Sequence, residues 1–108
     1  MHILALEVGT AMVSAAVLDV ATAQPRGEIA HAQYAPDDAA EIPTPRLWDA
    51  IAAAARQAVR ESGLAGQPGD DIACIGMTTF SPGLVLLDKS DQPLAPIWMP
   101  SDRRRSVD

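Results

Sequence analysis

Apolar residues recur with two different periods along this chain. Residues 3–8 (Ile-Leu-Ala-Leu-Glu-Val) form an apolar run of strand length, closed by the turn signal Gly9-Thr10. Residues 12–19 (Met-Val-Ser-Ala-Ala-Val-Leu-Asp) form a second run, and the two together predict a β-hairpin. Residues 28–34 alternate small apolar and polar side chains, which predicts a third, partly exposed strand. Residues 36–45 carry Pro36, Pro43 and Pro45 with three acids and predict a loop.

The period then changes. Leu47, Ile51, Ala54, Ala55, Ala58 and Val59 share one face at helical spacing, so a helix is expected from about Thr44 to Gly63. Thr44 is the expected N-cap, Pro45 the first helical residue and Gly63 the stop. Residues 64–71 predict a linker. Residues 72–78 (Ile-Ala-Cys-Ile-Gly-Met-Thr) predict a buried strand, and residues 84–88 another. Residues 93–98 run on extended, and residues 101–108 resemble the first turn of a further helix. Strands, one helix and strands again give an α/β class: a mixed sheet with a helix crossover and one parallel pairing.

Composition narrows the function. The chain has 108 residues, 48% hydrophobic and 4% aromatic, so one small domain with an aliphatic, Ala-rich core is expected over residues 1–108. The net charge of −6 repels phosphate backbones and argues against nucleic acid as a partner. Cys74 is the single cysteine, which allows neither an intrachain disulfide nor a multi-cysteine zinc site and fits a cytoplasmic setting. Glu7 interrupts the first apolar run, and no apolar stretch reaches the length of a membrane span; neither a signal peptide nor a membrane partner is expected.

Three stretches carry possible chemistry. In Glu7-Val8-Gly9-Thr10, the glycine lets backbone N–H groups approach an anion, the carboxylate can hold a metal and the hydroxyl can donate to a phosphate oxygen. The same residues also read as an ordinary hairpin turn. The loop Thr78-Thr79-Phe80-Ser81-Pro82-Gly83 joins two apolar runs, where ligands are often read, or is a plain connection around a buried Phe80. Trp98 can stack on a sugar face, and Asp102 and Arg103 can bind hydroxyls; these residues also read as a core-edge tryptophan and a solvated charge run. Cys74 reads as a small core residue, His2 as terminus and His31 as strand surface, with no catalytic role for either histidine.

In order and spacing these stretches resemble one family, the FGGY carbohydrate kinases. Leu4-Ala5-Leu6-Glu7-Val8-Gly9-Thr10 is similar to its opening strand and phosphate-binding turn. Residues 72–78 resemble its strand entering the sugar site. The apolar run ending at Asp88, the proline-bearing segment 92–98 with Trp98, and Asp102-Arg103-Arg104 resemble its characteristic later run. The resemblance spans the whole chain and is most specific from Ile72 to Arg105. It implies the ribonuclease-H-like N-terminal domain of an actin-like ATPase, truncated, with ATP and Mg²⁺ as cofactors. The implied reaction is phosphoryl transfer to a hydroxyl of a sugar or polyol. By the same resemblance Glu7, Gly9 and Thr10 would bind the cofactor, with Glu7 on the metal. Ser81, Trp98, Asp102 and Arg103 would bind the sugar. The catalytic base would lie in a C-terminal kinase domain missing from these 108 residues, so no catalytic residue is expected here.

The turn departs from the family pattern. Glu7 stands where aspartate is usual, Ala11 and Met12 where hydroxyl residues are usual, and Ser14 where some members carry arginine. Ser81 and Pro82 stand where Arg-Glu or Met-His is frequent. A non-catalytic remnant that binds a sugar or partner is therefore the alternative expectation. A ribonuclease-H-like nuclease is set aside, because it needs clustered carboxylates and residues 78–79 offer none.

Overall fold

The computed structural model describes residues 1–36, 39–64, 66 and 72–100. Its main element is a four-stranded sheet in the order β3 (Ala30–Gln33), β2 (Met12–Asp19), β1 (His2–Val8), β5 (Ile72–Thr79). Strand β1 (His2–Val8) turns into β2 (Met12–Asp19) in antiparallel register, Val8 opposite Val13 and His2 opposite Asp19. Strand β3 (Ala30–Gln33) adds to β2 antiparallel. Helix α1 (Thr44–Ser62) then crosses over, and β5 (Ile72–Thr79) returns parallel to β1, as the strand–helix–strand order predicts. Residues expected as plain loop and plain extension contain a second, two-stranded sheet, β4 (Glu41–Ile42) with β6 (Ile97–Trp98).

The core lies on one face of the sheet. Side chains alternate along a strand, so Leu4, Leu6 and Val8 of β1 and Val13, Ala15 and Val17 of β2 all point to α1. The helix answers with Ala50, Ala54 and Ala58, whose short side chains let it approach the sheet closely. Its start differs from expectation. Pro43 occupies the cap without a side-chain cap bond, Thr44 is the first helical residue and Pro45 the second. Proline fixes φ near −65° at no hydrogen-bond cost in this first turn, so Thr44 is not needed as a cap. The stop is as expected: Gly63 is left-handed, with φ 77°, and its N–H reaches the Arg60 carbonyl at 3.1 Å.

The opposite face is open. Every residue of β5 after Ile72 is exposed, so the expected buried strand is an open edge strand, and Cys74 is not a core residue. The run 84–88 is not a strand either. It is one side of an extended arm tied by isolated bridges, Leu84 to Trp98 and Leu87 to Pro93, around a turn in which Asp88 Oδ1 accepts from Ser90 N at 2.7 Å and Gln92 N at 3.0 Å. Leu84, Val85, Leu86 and Leu87 all stay exposed there, because no layer of described residues covers them. His2 is a buried β1 residue rather than a free terminus, with Nε2 3.7 Å from Asp19 Oδ2.

Candidate active site at the β1–β2 turn

A parallel pair sends both its strands out at the same end, and there the connecting loops meet. Glu7 lies opposite Thr78 in the β1–β5 register, and Phe80 N donates to the Val8 carbonyl at 3.0 Å. The turn Gly9-Thr10-Ala11 and the loop 80–83 therefore begin side by side at the carboxyl ends of β1 and β5. Open α/β sheets bind ligands at such ends.

Gly9 makes the turn tight. Its N–H donates to the Met12 carbonyl at 2.9 Å, and a Cβ there would meet that oxygen at 3.0 Å. Tyr34, just past β3, holds the turn from the core side. Its phenol donates to the Gly9 carbonyl and its N–H donates to the Ala11 carbonyl at 2.8 Å. Tyr34 is 6% exposed, and burial raises its phenol pKa above the ordinary 10.0, so the O–H stays a donor through the neutral range.

Because Leu6 and Val8 face the helix, Glu7 faces the open side. Register then lays out a row of polar side chains across that face: His31 on β3, Ser14 on β2, Glu7 on β1 and Thr78 on β5. Neighbouring strands stand about 4.8 Å apart, so the row offers donors and acceptors at even intervals. Ser14 Oγ and His31 Nδ1 are 2.8 Å apart, in hydrogen-bond contact. Glu7, Ser14 and Thr78 border a groove of about 440 Å³ with Ala5, Ala16 and Met77. Glu7 is exposed, and the described residues contain no group of three or more potential metal-ligating side chains. The arrangement suits a Mg²⁺ held mostly by phosphate and water, with Glu7 as its protein carboxylate, and not an all-protein cage.

The sequence as a whole carries a family signature: the N-terminal domain of the FGGY family of carbohydrate kinases matches residues 2–107. This chain belongs to the FGGY carbohydrate kinases. Among solved structures it is similar to a xyloylose kinase from Brucella ovis, with TM-score 0.74 and 27% identity over 96% of this chain. It also shares the fold of the xylulose kinase from Rhodospirillum rubrum, with TM-score 0.73 and 20% identity over 94% of this chain. The chain spans 22% and 21% of those two proteins. No curated protein matches it. The mixed sheet with its crossover helix is thus the actin-like ATPase fold of FGGY kinase domains.

Of the residues singled out in the sequence, Glu7, Gly9 and Thr10 come together at this turn. Ser81 is exposed at the head of the neighbouring loop, and the Ser81–Pro82 peptide is cis. Trp98 pairs with the residue that follows that loop: Leu84 and Trp98 exchange backbone bonds of 3.1 and 2.8 Å. It is half-buried in the small sheet opposite Glu41, not on the four-stranded one. Asp102 and Arg103 lie outside the described residues. Thr78 was named only as part of the loop 78–83, and Tyr34, Ser14 and His31 were not singled out as candidate site residues. They are far apart in sequence, and strand register alone brings them to the turn.

Proposed function

We propose that this chain forms part of the N-terminal domain of an ATP-dependent sugar or polyol kinase. In this reading residues 1–108 supply one wall of the cleft and do not catalyse transfer alone. The observation that carries the reading is the position of Glu7, Gly9 and Thr10: a carboxylate and a tight glycine turn at the carboxyl end of a parallel pair, beside the 80–83 loop. Family membership supports it.

Phosphoryl transfer is mostly positioning and charge neutralisation. Glu7 would hold Mg²⁺, which supplies charge neutralisation at the phosphates when bound. Gly9 and Thr10 would present N–H and hydroxyl donors to phosphate oxygens. Ser81 would donate to a sugar hydroxyl, Trp98 would offer a stacking face, and Asp102 and Arg103 would add polar contacts. The base that takes the hydroxyl proton would come from the remaining kinase domain. The two similar structures are described as a xyloylose kinase and a xylulose kinase, so xylulose is the first sugar to try.

A second reading has a specific observation behind it. Ala11 is buried and Met12 is apolar, so neither gives the turn a hydroxyl donor. A sugar-binding remnant without nucleotide affinity follows from that. Calorimetric titration with Mg-ATP, then with xylulose and a panel of pentoses, hexoses and polyols, separates the two. Nucleotide binding supports the kinase wall. Sugar binding without nucleotide supports the remnant.

A further inference from the structure

We propose that Tyr34 is a positioning residue of the phosphate turn: it sets the plane of the Gly9–Thr10 peptide so that the Thr10 N–H faces a phosphoryl oxygen. The proposal rests on the kinase reading above. It starts from covalent geometry. A trans peptide is planar, and its C=O and N–H point in opposite directions. The Gly9 carbonyl points to the Tyr34 phenol, and Tyr34 belongs to the buried cluster between sheet and helix. The N–H of Thr10, in the same plane, therefore points away from the core. Glu7 faces that open side too, since its neighbours Leu6 and Val8 face the helix. One carboxylate for a cation and one N–H for an anion thus share a side, as Mg-phosphate requires.

The clamp has two points. Tyr34 N–H holds the Ala11 carbonyl at 2.8 Å while the phenol holds that of Gly9. The Gly9–Thr10 and Ala11–Met12 peptides are therefore both tied to one residue, and neither can flip without breaking its bond to Tyr34. In a turn that lacks hydroxyls at Ala11 and Met12, backbone direction carries a larger share of anion recognition. Tyr34 touches no ligand in this arrangement and acts through the turn.

The test is Tyr34→Phe in the 108-residue chain, which keeps the ring and removes the donor. Calorimetry with Mg-ATP is expected to show a dissociation constant raised roughly tenfold, the scale of one lost hydrogen bond. Sugar affinity should stay unchanged, and the melting temperature should move by only a few degrees. The Thr10 amide resonance should shift while those of Leu6 and Ala15 stay. Equal Mg-ATP affinity in both proteins overturns the role of Tyr34 and leaves the kinase reading standing. Sugar binding by the parent chain without nucleotide binding favours the remnant reading and overturns this proposal with the kinase reading it rests on. Should the variant not fold, inorganic phosphate titrated into the parent chain decides: the Thr10 amide is expected to move, and binding that leaves it in place overturns the proposal.

Discussion

Arg26 donates from Nε to the carbonyl of Ser62 at 2.8 Å, joining the β2–β3 connection to the last turn of α1. The carbonyls of a helix end lack partners within the helix, and a cation there is favoured by the dipole. Gly27 follows with φ 85°, and a Cβ on it would sit 2.2 Å from the Glu61 carbonyl oxygen. Removing the guanidinium (Arg26→Ala) is expected to cost about 1 kcal/mol. Gly27→Ala is expected to cost more, about 2–3 kcal/mol, since backbone must move and the conformation is left-handed. Urea unfolding of the three proteins checks both values; equal midpoints for parent and Gly27→Ala would refute the close packing of this corner.

Glu7 carries one methylene more than the aspartate usual at this place in the family. A Mg²⁺ contact near 2.0–2.1 Å leaves little tolerance for that extra bond length. Glu7→Asp is therefore expected to tighten Mg-ATP binding several-fold. Glu7→Gln is expected to abolish the difference between ATP with and without Mg²⁺. Titrations with Mg²⁺ and with a chelator read this out, and a Glu7→Gln protein that keeps its Mg²⁺ dependence would remove Glu7 from the metal.

Tyr34 is the single tyrosine, so its ionisation can be followed by ultraviolet absorbance without overlap from another phenol. Burial raises its pKa in the folded chain above the ordinary 10.0. The native state then holds the proton more tightly than the unfolded state, and stability falls as pH rises above 10. Below that pH the contribution is fully present. The expected result is an absorbance midpoint above 10 together with alkaline loss of stability. A midpoint at or below 10 in the folded protein would show the phenol to be solvated.

The uncovered β5 edge and the arm leave large apolar side chains in water: Ile75 is 62% exposed, Met77 56% and Leu94 65%. The isolated chain is expected to bind a hydrophobic dye and to associate as its concentration rises. Paired substitutions Ile75→Lys and Leu86→Lys should reduce both. Sedimentation at several concentrations gives the check; a monomer that binds no dye would count against the exposed face.

Much of this architecture was legible because its periods are clean. The run 12–19 is apolar over a strand's length and forms β2 over the residues expected, with burial alternating along it. The alanine stripe made α1 visible to within a residue of its end. Residues 72–79 carry apolar side chains in both phases, which in a parallel strand means cover on both faces. That inference concerns the surroundings of β5, and the described residues supply no layer there. The leucine run 84–87 misled for a related reason: it has the composition of a strand without a sheet beside it. Strands β4 and β6 are two residues each, too short for any period to show. At the site, Glu7, Gly9 and Thr10 were readable because they are neighbours in sequence. The Ser14–His31 contact spans 17 residues and the Tyr34–Gly9 bond 25, and both depend on how β3 docks on β2.

β1 is paired to β2 around a turn of three residues, but its other partner, β5, lies about seventy positions along the chain. On a ribosome, the hairpin with its turn can close as soon as residues 2–19 have emerged. The second side of β1 must wait until the crossover helix has emerged, and closing so distant a pair carries the larger entropy cost. The turn that would meet the nucleotide is thus shaped early, and the strand beside it completes the wall late.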